Sequence, residues 1–205
     1  MFDINIDGHD QIFLVEDYLD ESTGITPSKL LNIISKFDFK NQKVPKIGFY
    51  DISDIFQESL NELDFFYKTN MYSEYLCDFL YEKMMFLKKS IDNYDRVLCH
   101  GDLSNNNIMR LSKSCDDYVL IDWEDAFWGI KGYDYLYWLT FFDNKKWLSK
   151  NNILLSGYEF DVCESLILLI LIIKNSIAYY SGKYLFNSVG MEDRILRTIE
   201  ILEKN

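Results

Sequence analysis

The chain has 205 residues, is 48% hydrophobic and 17% aromatic, and carries two prolines and a formal net charge of −12. That length and apolar content suffice for one sizeable core and at most two small lobes, and they exclude a disordered or low-complexity chain. The acidic balance, with a pI near 4.6, leaves no basic stripe to replace counterions and excludes a nucleic-acid backbone as partner. It admits a cationic substrate such as an amine or an aminosugar, and equally serves solubility alone.

Phe2-Asp3-Ile4-Asn5-Ile6 alternates apolar and polar residues, Asp7-Gly8 is a turn signal, and Gln11 to Glu16 reads as a second strand, so the chain is expected to open on a β-hairpin. Thr26-Pro27-Ser28 starts a helix with proline near its first position, and Leu30, Leu31, Ile33, Ile34 and Phe37 follow at helical spacing. After a connector at Asn41 to Lys46, Ser53 can cap a helix through Lys68, its apolar side given by Ile55, Leu60, Leu63, Phe66 and Tyr67. Ser73-Glu74 opens another helix through Asn93, carrying Leu76, Phe79, Leu80, Met84, Phe86 and Leu87.

The next stretch carries the chemistry. Arg96 to Cys99 reads as a short strand running into the polar loop His100-Gly101-Asp102-Leu103-Ser104-Asn105-Asn106-Asn107. Asn107 to Leu111 and Tyr118 to Ile121 read as a hairpin with Ser112 to Asp117 as its turn, and Asp122-Trp123-Glu124 follows. Asp102, Asn107 and Asp122 are thus expected at strand ends around one small space. Two carboxylates and an amide oxygen suit a hard cation such as magnesium, which takes a few carboxylates plus phosphate oxygens. The spacing Asp-x-x-x-x-Asn, with an Asp after the next strand pair, is that of a kinase catalytic loop and its metal aspartate. The plain alternative is a polar turn that happens to contain Asp and Asn.

On these residues the chain resembles the aminoglycoside phosphotransferase and choline kinase group, the small-molecule branch of the protein-kinase-like fold. Gly101 stands where a protein kinase has Arg, and Trp123-Glu124 stand where it has Phe-Gly. The resemblance implies an α+β, protein-kinase-like fold. Residues 1–20 would be a remnant of the N-terminal lobe, a β-hairpin and hinge, and residues 21–205 a mainly helical C-terminal catalytic lobe with a catalytic-loop β-hairpin. It implies an ATP-dependent phosphotransferase acting on a hydroxyl of a small molecule such as an aminoglycoside, a choline-like amine or a sugar. Asp102 would be the catalytic base, and Asn107 and Asp122 the magnesium ligands. Glu16, Asp17 and Tyr18 would be the hinge that meets the adenine edge. His100 is expected as a scaffold bonded to the metal-aspartate segment, and Asp134, at the start of the next helix, as an organiser of the loop. Glu124 and Asp125 could meet a substrate amine or form a solvated turn.

The family's phosphate-covering loop, its strand Lys and its helix Glu find no match here. The expectation is therefore a shortened member or a fragment, with a non-catalytic kinase-like lobe or binding module as the alternative. The opening hairpin would then expose an edge and a face for self-association.

Glu124 to Gly132 reads as a loop, Tyr133 to Phe142 as an aromatic helix, Tyr158 to Ser181 as a long apolar helix and Gly190 to Lys204 as a terminal amphipathic helix. Trp128, Tyr133, Tyr135, Tyr137, Trp138, Phe141 and Phe142 could line a cation cage, but aromatics at helical spacing are more often core. Cys77, Cys99, Cys115 and Cys163 are scattered, as reduced thiols of a cytoplasmic protein would be. No signal peptide is read at the N-terminus. The longest apolar run, Leu166 to Ile173, is too short to span a bilayer, so no membrane partner is expected.

Overall fold

Local chemistry sets the ends of most helices. The structure, a computed structural model, describes residues 2–6, 9–13, 20–21, 24–37, 50–111, 117–186 and 189–204. Helix α1 (Pro27–Lys36) begins where Thr26 accepts the backbone N–H of Lys29 and Pro27 supplies a preset φ. Helix α2 (Ile52–Lys68) is capped by Asp51 rather than by the expected Ser53. The Asp51 carboxylate accepts the N–H of Ser53 at 2.9 Å, and Asp54 returns a bond to the Asp51 N–H at 3.0 Å. That reciprocal pair satisfies two donors at once, which moves the start upstream. Ser73 caps helix α3 (Glu74–Ser90) as expected, and a 3-10 turn at Ile91–Asn93 completes the segment.

Among the described residues, three small sheets accompany the helices. Strands β1 (Phe2–Ile6) and β2 (His9–Phe13) form an antiparallel pair, with pairing at Ile6 and His9, earlier than the expected Gln11. His9 and Asp10 join through their backbones, which an apolar period does not register. Strand β3 (Asp20–Glu21) pairs antiparallel with β6 (Ile108–Arg110), which in turn pairs with β7 (Tyr118–Leu120). This pairing straddles the boundary expected after residue 20. The third sheet joins β4 (Tyr50–Asp51), β8 (Phe127–Ile130) and β5 (Arg96–Cys99), with β4 parallel and β5 antiparallel to β8. Strand β8 falls in the stretch expected to be loop. Its four residues show no alternation, and its partners lie far away in sequence.

The core is built on helix α6 (Phe160–Tyr180), which packs against α2, α3, helix α4 (Tyr133–Thr140) and helix α7 (Met191–Lys204). Its residues Val162 to Ile172 are all buried. By length and composition α6 could cross a bilayer, because the helix extends well beyond the uniformly apolar run. Yet 72% of its apolar window is buried inside the chain. Its buried Glu164 is paired with Lys83 of α3. Asn175 donates to the Tyr72 hydroxyl at 2.7 Å and to the Met191 carbonyl at 3.0 Å, tying α6 to the start of α7. The short helix α5 (Lys150–Ile153) completes the set. Leu30, Ile33, Leu63, Phe66, Leu76, Leu80, Met84 and Leu87 are buried as their spacing predicts, whereas Leu31 and Tyr67 face solvent. The chain is thus mixed helix and sheet, mostly helical, and α+β in class.

Leu80 is fully buried on α3. Leu80→Ala should cost about 2–5 kcal/mol of stability, read as a lower urea midpoint with an unchanged m-value.

Candidate active site

Strand β5 delivers the chain into a loop whose shape is fixed from below. His100 is fully buried. Its backbone N–H donates to Asp134 Oδ2 at 2.8 Å, and the N–H of Gly101 donates to Asp134 Oδ1 at 3.0 Å. Asp134 lies in the first turn of α4, but its carboxylate turns to the loop rather than to its own helix. Burial holds the Asp134 carboxyl above its usual value, and the backbone bonds and His100 offset part of that rise. Gly101 has φ +86°, and a Cβ there would sit 2.1 Å from the Asp125 carbonyl oxygen. Both the left-handed backbone and the close approach require glycine.

Asp102 follows, half-buried, with its own carbonyl accepting from Ser104 N–H at 2.9 Å and from Asn107 Nδ2 at 2.8 Å. The same Nδ2 lies 3.5 Å from Asp102 Oδ2, and Tyr137 Oη donates to Oδ1 at 2.5 Å. Asn107 ends a 3-10 turn at Asn105–Asn107 and is buried, so Asp102 and Asn107 are brought into one unit. With Nδ2 committed to Asp102, Asn107 Oδ1 is the atom left for a cation. The loop tip is held by Trp138, whose Nε1 donates to Asn105 Oδ1 at 2.8 Å, and by Asn144, which accepts from Asn105 Nδ2 at 3.0 Å.

The second carboxylate arrives across the β6–β7 pair. The N–H of Ile121 donates to the Asn107 carbonyl at 3.1 Å, which sets Asp122 one residue beyond the pairing with Asn107. Asp122 has φ +65°, a left-handed conformation uncommon outside glycine, Asn and Asp. Its side chain is exposed, with no hydrogen-bond or ion-pair partner among the described residues. His100 Nε2 lies 2.7 Å from the Ile121 carbonyl. A carbonyl only accepts, so Nε2 carries the proton and His100 anchors the backbone just before Asp122. The Trp123 ring lies 4.8 Å from the imidazole. Glu124 and Asp125 stand exposed in a 3-10 turn at Trp123–Asp125. Glu16, Asp17 and Tyr18 lie outside the described residues.

The aromatic residues of α4 are core: Tyr133, Tyr135, Tyr137 and Trp138 are all buried. The faces of Tyr137 and Phe141 are covered by Lys174, whose Nζ lies 4.7 Å and 3.9 Å from the two ring centroids. Asn105 and Asn144 have no site role in the sequence analysis, and Tyr137 and Trp138 enter it as cage or core aromatics rather than as donors to the loop. The available signal was position: Tyr137 and Trp138 fall three and four residues after Asp134, on its face of the helix. A cavity of about 590 Å³ between α1, β5 and residues 151–158 is lined by Asp134 but not by Asp102, Asn107 or Asp122.

The raised Asp134 pKa fixes a pH dependence. The folded value lies above the ordinary 3.8, so the folded state keeps this proton longer than the unfolded state. The contribution is full below pH 3.8 and declines as pH rises through the raised folded value. Urea titrations at a series of pH values should show the stability of wild type minus that of Asp134→Asn falling across that window. Gly101→Ala should destabilise by more than about 1 kcal/mol in the same assay, and its clash with Asp125 should appear as amide shifts at residues 100–102 and 123–126.

Residues 78–164, from α3 through the loop and α4 into α6, match the phosphotransferase enzyme family (APH). No curated protein and no solved structure matches the chain at a significant level. The match covers the residues on which the resemblance to aminoglycoside phosphotransferases and choline kinases was drawn. Over residues 78–164, the chain is thus similar to the phosphotransferase enzyme family.

Proposed function

We propose that this protein is a protein-kinase-like, ATP-dependent phosphotransferase acting on a hydroxyl of a small molecule, such as an aminoglycoside, a choline-like amine or a sugar. The observation that carries this reading is the Asp102–Asn107 unit beside an exposed Asp122, held by buried bonds from Asp134 and His100. Asp102 is the base that orients the acceptor hydroxyl and takes up its proton. Asn107 and Asp122 fit magnesium by donor chemistry, as an amide oxygen and a carboxylate. Among the described residues no group of three or more His, Cys, Asp or Glu side chains forms a metal cage. That suits an ion held by few protein oxygens and completed by nucleotide phosphates. When bound, the ion neutralises charge on the phosphates.

The chain's own contribution is positioning. The buried loop presents Asp102 in one orientation, and preset geometry of this kind lowers a barrier through orientation and electrostatics. Glu124 and Asp125, exposed beside the loop, are placed to meet a cationic group of the acceptor. In this reading residues 1–20 contribute to nucleotide binding and residues 21–205 form the catalytic lobe.

A nucleotide-dependent phosphorylation screen over aminoglycosides, choline, ethanolamine and sugars tests the activity; transfer to none of these acceptors counts against it. Asp122→Ala should abolish magnesium-dependent nucleotide binding in calorimetry while the fold persists, and equal affinity in both chains would remove Asp122 from the metal site. Asp102→Asn should lower kcat by about 10²–10⁴ with little change in nucleotide KM.

A further inference from the structure

Asp102 offers two carboxylate oxygens, and they are not equivalent. Oδ1 accepts the Tyr137 hydroxyl at 2.5 Å, whereas Oδ2 has only the distant Asn107 Nδ2 at 3.5 Å. The phenol that takes Oδ1 is itself held firmly. Tyr137 is 7% exposed, Lys174 of α6 lies over its ring, and Tyr133 stacks 6.2 Å away, centroid to centroid. It sits one helical turn after Asp134, so one face of α4 fixes both the loop backbone and the Asp102 side chain.

We propose that Tyr137 is a positioning residue for phosphoryl transfer: it occupies Asp102 Oδ1, sets the carboxylate's rotation and leaves Oδ2 as the oxygen that meets the acceptor hydroxyl. This rests on the reading of Asp102 as base. As the acceptor oxygen bonds to phosphorus and the bond to the nucleoside diphosphate breaks, the acceptor proton passes to Oδ2. Tyr137 keeps its own proton throughout. Burial and the Asp102 carboxylate both raise the phenol far above its usual value, so it remains a donor. The other titratable groups around this contact are Tyr133 and Asp125, which act on the same phenol, His100 next along the loop, and Lys174 across the ring.

The test uses the full chain and two readouts. Carbon-13 carboxyl NMR at one fixed pH, with Asp102→Asn to assign the resonance, reports the hydrogen bonding of the Asp102 carboxylate. Tyr137→Phe keeps the ring and its contacts with Lys174 and Tyr133 but removes the donor. The Asp102 carboxyl resonance should move between wild type and Tyr137→Phe at the same pH; an identical resonance in the two chains would overturn the proposal. In phosphoryl transfer, Tyr137→Phe should lower kcat roughly tenfold while nucleotide KM stays within about twofold. An unchanged kcat in Tyr137→Phe, alongside an inactive Asp102→Asn, would also overturn it. An Asp102→Asn chain that transfers phosphate at the wild-type rate would be a failure of the proposed function itself, which the carboxyl resonance distinguishes because it requires no turnover.

Discussion

The buried carboxylate of Asp134 is the constraint on which the site depends. Its two oxygens take the N–H groups of His100 and Gly101, the residues that lead into Asp102. A carboxylate so placed loses hydration, and burial is the largest influence on its pKa. The bonds it accepts are directional and charge-assisted, so the lost solvation is offset only in one loop geometry. That geometry carries Gly101 into a left-handed turn against the Asp125 carbonyl. The turn in turn aims Asp102 toward Asn107.

Helix α4 extends this hold. Asp134 takes the loop backbone, Tyr137 takes the Asp102 side chain, and Trp138 takes Asn105 at the loop tip. Residues three and four apart share a helical face, so one rigid element grips the loop at three successive places. The aromatic character of α4 therefore has a double use. The rings fill the core against α6, and the polar edges of Tyr137 and Trp138 reach inward to the loop. Lys174 occupies the faces of Tyr137 and Phe141, which uses intramolecularly the attraction that a cation cage would offer a ligand.

The other side of the site is more open. Asp122 departs from the ordinary backbone regions at a cost of about 1–2 kcal/mol, and its carboxylate faces solvent. His100 and the Ile121–Asn107 backbone bond hold the residue just before it. The two carboxylates are thus presented differently: Asp102 is held by Tyr137 and the loop, whereas Asp122 stands on a left-handed turn and faces solvent.

The sequence by itself determined the polar loop, the order Asp102, Asn107, Asp122, the β6–β7 pair around it and the caps at Thr26 and Ser73. These signals are local, because turn residues, caps and apolar periods act within a few positions of one another. The apolar periods also marked most of the buried faces of α1 to α3, but not the rotation that leaves Leu31 and Tyr67 in solvent. Only the tertiary structure decided that Phe127–Ile130 is a strand, since it pairs with residues 96–99 and 50–51 and has no alternation of its own. It also decided that Asp51 rather than Ser53 caps α2, that Asp134 turns away from its helix, and that Tyr137 reaches Asp102 across 35 positions of sequence. Such contacts depend on how one rigid element is rotated against another, and that rotation is set by packing around α6, which no local pattern encodes.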